Sequence, residues 1–273
     1  MFQSILPIIF LSFTNFYQST VKNNFDSFDC LYNSPSVPAS RSYVLTPNGN
    51  SVNTVQYTEE LTSSEIASYN SYISSMCPNA IFLSNPTNRY NCHSYAWYMQ
   101  NPIYNTHWMP WPNTYVSDYS YTQIYSNVQA GDIICYINSS GEKIHSGRIN
   151  QVLGGTSNNV CGDSNLYQVT SKFGACGLYS HRGDECPYTS YNGNASGGNL
   201  AVNVQYFRIS SSHSHSLNYV SHSNYQHFVY CSCSMAYYES HDWESNNKSS
   251  GDEQEYIPSY TCSKCGRTAI YPY

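Results

Sequence analysis

The stretch Asn91-Cys92-His93-Ser94-Tyr95-Ala96-Trp97, with Gly131-Asp132-Ile133-Ile134 and His145-Ser146-Gly147 downstream, decides how this chain is read. The heptapeptide predicts a helix that opens at Asn91 or Cys92 and runs to about Met99, where Asn101-Pro102 stops it. From Gly131 the pattern turns to strand. Apolar runs over 132–137, 144–153, 166–172 and 199–209 are separated by Ser- and Gly-rich turns. Upstream, Thr62-Ser63-Ser64-Glu65 has the capping-box pattern, and Ile66, Tyr69, Tyr72, Ile73 and Met76 recur at helical spacing. That predicts a helix over 63–76, stopped by Pro78. Helices first and an antiparallel meander after them predict an α+β domain.

Around this core the chain divides by composition. Residues 1–20 hold the apolar run Ile5-Leu6-Pro7-Ile8-Ile9-Phe10-Leu11-Ser12-Phe13, which has the length of a secretory h-region and is too short to span a bilayer comfortably. No Lys or Arg precedes it and no Ala-x-Ala follows, so a buried strand or helix is its alternative. Residues 21–60 read as a polar extension with short strands, 61–209 as the main domain and 210–273 as a Cys/His module. The expected product is secreted, with no membrane span after signal cleavage. Only 10% of residues are charged and 29 are Tyr. A net charge of −6 without clustered Lys or Arg argues against nucleic acid as a partner.

A thiol in the first turn of a helix faces unpaired backbone N–H groups and the positive end of the helix dipole, both of which favour thiolate. The same amides can hold an oxyanion. Cys92 therefore fits a nucleophile and His145 its general base, with Ser171 or His181 as the group orienting the imidazole. Trp97, Trp108, Trp111, Lys172 and His181 are candidate substrate-binding residues. The loop His107-Trp108-Met109-Pro110-Trp111-Pro112 is either a groove wall or a cover over the core.

Order and type of these segments resemble the papain-like superfamily of cell-wall amidases and endopeptidases, of the NlpC and CHAP types. The residues that match are Cys92, Gly131-Asp132-Ile133-Ile134 and His145, and the resemblance covers about 60–209. It implies a permuted papain-like fold and hydrolysis of amide bonds in peptidoglycan peptides or related peptides through an acyl-enzyme. Two positions depart from the pattern: His93 stands where a small residue is common, and the third catalytic position falls near Ser171. The competing readings are a non-catalytic cell-wall binding protein and an acyltransferase using the same Cys-His pair.

Cys231-x-Cys233, His241 and Cys262-x-x-Cys265-Gly266 form a second constellation near zinc-ribbon spacing. This predicts a closed, structural zinc held by Cys231, Cys233, His241, Cys262 and Cys265, with His227 or His241 able to replace a Cys. Disulfides between the two Cys pairs are the alternative in an oxidising compartment. No cofactor is expected for catalysis. Cys30, Cys77, Cys135, Cys161, Cys176 and Cys186 remain, with pairing unreadable from sequence. Asn138, Asn194 and Asn247 each stand in Asn-x-Ser.

Overall fold

A computed structural model describes residues 29–32, 34–191, 200–210, 217–231, 236–246 and 259–270. The apolar N-terminal run, Cys233, Asn194 and Asn247 lie outside the described residues. In chain order the elements are α1 (Asp29–Tyr32), β1 (Ala39–Leu45), β2 (Ser51–Tyr57), α2 (Ser63–Met76), β3 (Ile81–Ser84), α3 (Cys92–Trp97), α4 (Thr114–Ser117), β4 (Tyr121–Ile124), β5 (Ile133–Asn138), β6 (Lys143–Val152), β7 (Tyr167–Lys172), β8 (Leu178–Arg182), β9 (Ala201–Ile209), β10 (Asn218–Ser221), β11 (Gln226–Tyr230), β12 (Ala236–Ser240), β13 (Trp243–Ser245), β14 (Tyr260–Cys262) and β15 (Thr268–Ala269). They build four antiparallel sheets: β1-β2, a seven-stranded β3-β8-β7-β6-β5-β9-β4, and the triplets β10-β11-β12 and β13-β14-β15.

The expected α+β domain of papain-like type is overturned by this architecture, which is mostly β, with 39% strand against 14% helix. The local signals were sound, and the helix layer is what falls short. α2 follows the capping box, with Glu65 N donating to Thr62 Oγ1 and Thr62 N to Glu65. The helix at Cys92, however, lasts only six residues, and the 39–57 extension forms a regular hairpin. Tyr and β-branched residues supply strand-forming surface throughout, so sheet replaces the helical layer.

The seven-stranded sheet has two covered faces. On one lies α3, whose Trp97 packs on Tyr115, Tyr121 and Phe207 with ring centroids 5.7, 5.2 and 5.3 Å away. Ile133, Cys135 and Ile137 of β5 face the same cluster. The alternate residues Ile134 and Tyr136 face the other side, with Val169, Phe173, Tyr179, Tyr188 and the α2 residues Tyr69 and Ile73. A disulfide between Cys30 and Cys176 ties the N-terminal segment to the β7–β8 turn.

At that turn Gly174 has φ +55, and a Cβ there would stand 2.1 Å from the Cys30 carbonyl oxygen. Neither backbone segment can retreat without breaking the Ala175 N to Cys30 O bond of 2.7 Å. Gly174→Ala is expected to lower unfolding free energy by roughly 2–4 kcal/mol in urea titration.

Candidate functional site

Asn91 fixes the start of α3. Its Oδ1 accepts from Ser94 N at 3.0 Å and Met109 N at 3.1 Å, and its Nδ2 donates to Met109 O at 2.8 Å. Cys92 thus opens the helix as expected, but it is 5% exposed. Burial pushes its thiol up to about 11. The backbone N–H groups of Ser146, His93 and Cys92 itself, with the Lys172 ammonium, act in the opposite direction without prevailing.

His145 is not beside it. Arg148 sets the phase of β6: its Nε donates to Ala96 O at 2.6 Å, Nη1 to Gly131 O at 2.6 Å and Nη2 to Tyr121 Oη at 3.0 Å. A guanidinium that closes the end of α3 must point to the α3 face. By strand alternation Ser146 then points there too, and His145 points away. Ser146 Oγ accordingly bonds His93 Nδ1 at 2.8 Å and accepts from Trp97 Nε1 at 3.1 Å. His145, fully buried, stacks on Tyr188 at 4.0 Å and neighbours Tyr136 and Phe173. Neither of its ring nitrogens has a hydrogen-bond partner among the described residues. Burial, with His181 and His93 nearby, holds it well below the ordinary imidazole range.

The other expected site residues divide between the same two faces. Ser171 Oγ bonds His181 Nε2 at 2.8 Å, and His181 Nδ1 meets Arg182 O at 2.8 Å. This pair sits on the His145 side, since Val169 and Tyr179 flank it there. Lys172 is on the α3 side, fully buried, donating to the carbonyls of Thr87 at 3.2 Å, Gly174 at 2.7 Å and Cys176. Burial lowers it to about 7, with Cys92 and Glu60 acting in the opposite direction. Trp97 and Trp108 are core residues. Trp111 alone of the expected aromatic contacts is open to solvent, at 59%.

The C-terminal module gathers His227, His241, Cys262 and Cys265, whose ligand atoms all lie within 4.8 Å of one another. Cys262 Sγ is 3.8 Å from His227 Nδ1, and Cys265 Sγ is 3.4 Å from His241 Nδ1. Both imidazoles are oriented from behind: His227 Nε2 by Glu239 at 2.9 Å, and His241 Nε2 by Ser223 O at 2.9 Å. Such outward bonds fix the tautomer that leaves Nδ1 free for a metal. Gly266, at φ +72, completes the Cys262–Cys265 knuckle by donating to Cys262 O at 2.9 Å. The set joins β11, β14 and the segment between β12 and β13. Cys231, just after β11, lies outside this set, and His227 is the donor that β11 contributes. His227 was among the substitutes expected for a Cys, and it lies on β11 on the same face as Val229.

A third feature was not foreseen. Between residues 98–103, which follow α3, and strands β11 and β12 runs a groove of about 450 Å³, lined among others by Tyr98, Met99, Ile103, Phe228, Tyr230 and Tyr238. No lining side chain among the described residues is charged. Tyr98 Oη meets Tyr230 Oη at 3.0 Å, and Tyr104 stacks on Phe228 at 4.8 Å, so the module docks here through aromatic rings.

The chain matches no family model, no curated protein and no solved structure.

Proposed function

We propose that this chain works by binding, as a secreted cell-wall binding protein whose aromatic groove takes an uncharged glycan strand. The observation that carries this reading is the placement of Cys92 and His145 on opposite faces of one sheet, which parts the thiol from its expected base. The groove offers ring faces and, in Gln100 and Asn101, amide groups at its wall; sugar rings present the complementary C–H faces and hydroxyls. An uncharged lining selects against ionic ligands. The Cys30–Cys176 bond supports an oxidising compartment. The His227, His241, Cys262 and Cys265 set suits zinc by donor type, and four protein donors leave no position for substrate, so the metal's role is structural.

Co-sedimentation with purified peptidoglycan sacculi tests this. Binding is expected to persist at high salt, because no charge pair supports it. Tyr238→Ala and Ile103→Asp should each weaken it about tenfold or more. Unchanged binding in both variants would remove the groove from the account.

A hydrolase remains the second reading, supported by the three backbone amides directed at Cys92 Sγ. On that reading, turnover of a muropeptide panel would be lost in Cys92→Ala.

A further inference from the structure

The four-donor set and the aromatic groove stand on opposite faces of the same two strands. β11 pairs with β12 antiparallel, with His227 opposite Glu239, Phe228 opposite Tyr238 and Tyr230 opposite Ala236. Alternation sends the odd-numbered pair to one side. There Glu239 holds His227 Nε2 at 2.9 Å, and His227 Nδ1 turns to Cys262 Sγ at 3.8 Å. The even-numbered residues Phe228, Tyr230, Ala236 and Tyr238 go to the other side, and all four line the groove. Its facing wall, residues 98–103, belongs to the main domain. Contacts across the gap are few and aromatic: Tyr104 stacks on Phe228 at 4.8 Å, and Tyr98 Oη meets Tyr230 Oη at 3.0 Å. One wall is therefore only as firm as the β10-β11-β12 triplet, whose strands have four, five and five residues. Sheets so small are marginal without outside support.

We infer, resting on the groove's proposed part in glycan binding, that zinc gates the groove. An ion joining His227 to His241, Cys262 and Cys265 ties β11 and the end of β12 to the knuckle after β14. That tie holds β11 and β12 in the arrangement that sets Phe228, Tyr230 and Tyr238 against residues 98–103. Only the zinc-loaded chain then has a complete groove. Glycan and zinc bind cooperatively as a result, each raising the affinity for the other by the same factor. The coupling runs straight across the strands, from His227 and Glu239 on one face to Phe228 and Tyr238 on the other.

The test is co-sedimentation of the full chain with purified sacculi across a series of chelator-buffered free zinc concentrations. Wild-type binding should rise with free zinc and vanish in chelator. Glu239→Gln loosens the hold on His227 and leaves every groove side chain in place. It should reach the wild-type maximum at about tenfold to a hundredfold higher free zinc. A shared maximum separates this from damage through the lost Lys264–Glu239 pair, which added zinc would not repair. Chelated wild type that binds sacculi as well as the loaded chain would overturn the gating and leave the groove's role standing. So would a Glu239→Gln midpoint that stays put while its zinc affinity, measured without sacculi, falls. If instead the loaded wild type binds no sacculi at any zinc concentration, the groove's role in glycan binding fails. Hydrogen exchange then decides the gating by itself. Amides of 226–230 should lose protection on chelation while those of 133–137 keep theirs, and equal protection of 226–230 with and without zinc would overturn it.

Discussion

Stripping metal from the His227, His241, Cys262 and Cys265 set is expected to unfold the triplets β10-β11-β12 and β13-β14-β15 while the seven-stranded sheet stays folded. The triplets β10-β11-β12 and β13-β14-β15 are too small to stand on apolar burial alone, and β13 and β15 have only three and two residues. The four-donor set joins them, beside the Lys264–Glu239 ion pair at 2.7 Å and the Arg267 bond to Ser221 at 2.9 Å, and structural zinc contributes about 10–16 kcal/mol in small modules of this kind. Chelation with 1,10-phenanthroline, or His227→Ala, should open the module to limited proteolysis. Cleavage should fall within 217–270 and leave a resistant core that includes the Cys30–Cys176 link. Glu239→Gln should act more gently, since Glu239 orients His227 at 2.9 Å without belonging to the set, and a 10–100-fold loss of zinc affinity is the expected size. Equal protease resistance with and without metal would remove the structural role.

Acid should destabilise the main domain well above the range where its carboxylates titrate. His93 and His181 are both buried and held down to about 4, and His145 lies lower than the ordinary imidazole value as well. Burial is the leading cause in each case. Below about pH 6.5 the unfolded chain takes up protons that the folded chain refuses, so stability falls as pH drops from 6.5 to about 4. His93 and His181 together correspond to roughly 6 kcal/mol over that window, comparable with the whole stability of many domains. The urea midpoint should fall steeply between pH 7 and 4, and a flat profile would contradict this. His145→Phe should flatten the profile in part and stabilise at every pH, because His145 stacks on Tyr188 and makes no hydrogen bond through its ring.

Much of this arrangement is legible in the sequence. The capping box placed α2, and alternation placed β5, β6, β7 and β9 to within two residues. The Cys262-x-x-Cys265-Gly266 knuckle announced the metal module. What could not be read was the phase of β6. His145 and Ser146 are adjacent, and only one can face α3. That choice is made by Arg148, whose acceptors Ala96 O, Gly131 O and Tyr121 Oη come from three distant segments. His227 was readable as a substitute for a Cys ligand, and the set that gathers is His227, His241, Cys262 and Cys265. The groove was unreadable because its walls come from residues 98–103 and from β11 and β12.

The central claim is that Cys92 is a buried thiol parted from His145 and held in its protonated form. Its most direct test is the site-resolved alkylation rate of Cys92 in the native chain at pH 7, followed by mass spectrometry with an unstructured cysteine peptide as reference. With the thiol pushed up to about 11, labelling should be about a hundredfold or more slower than the reference and should rise only in strongly alkaline buffer. Labelling faster than the reference, with a midpoint below pH 8, would contradict the account and restore Cys92 as a nucleophile.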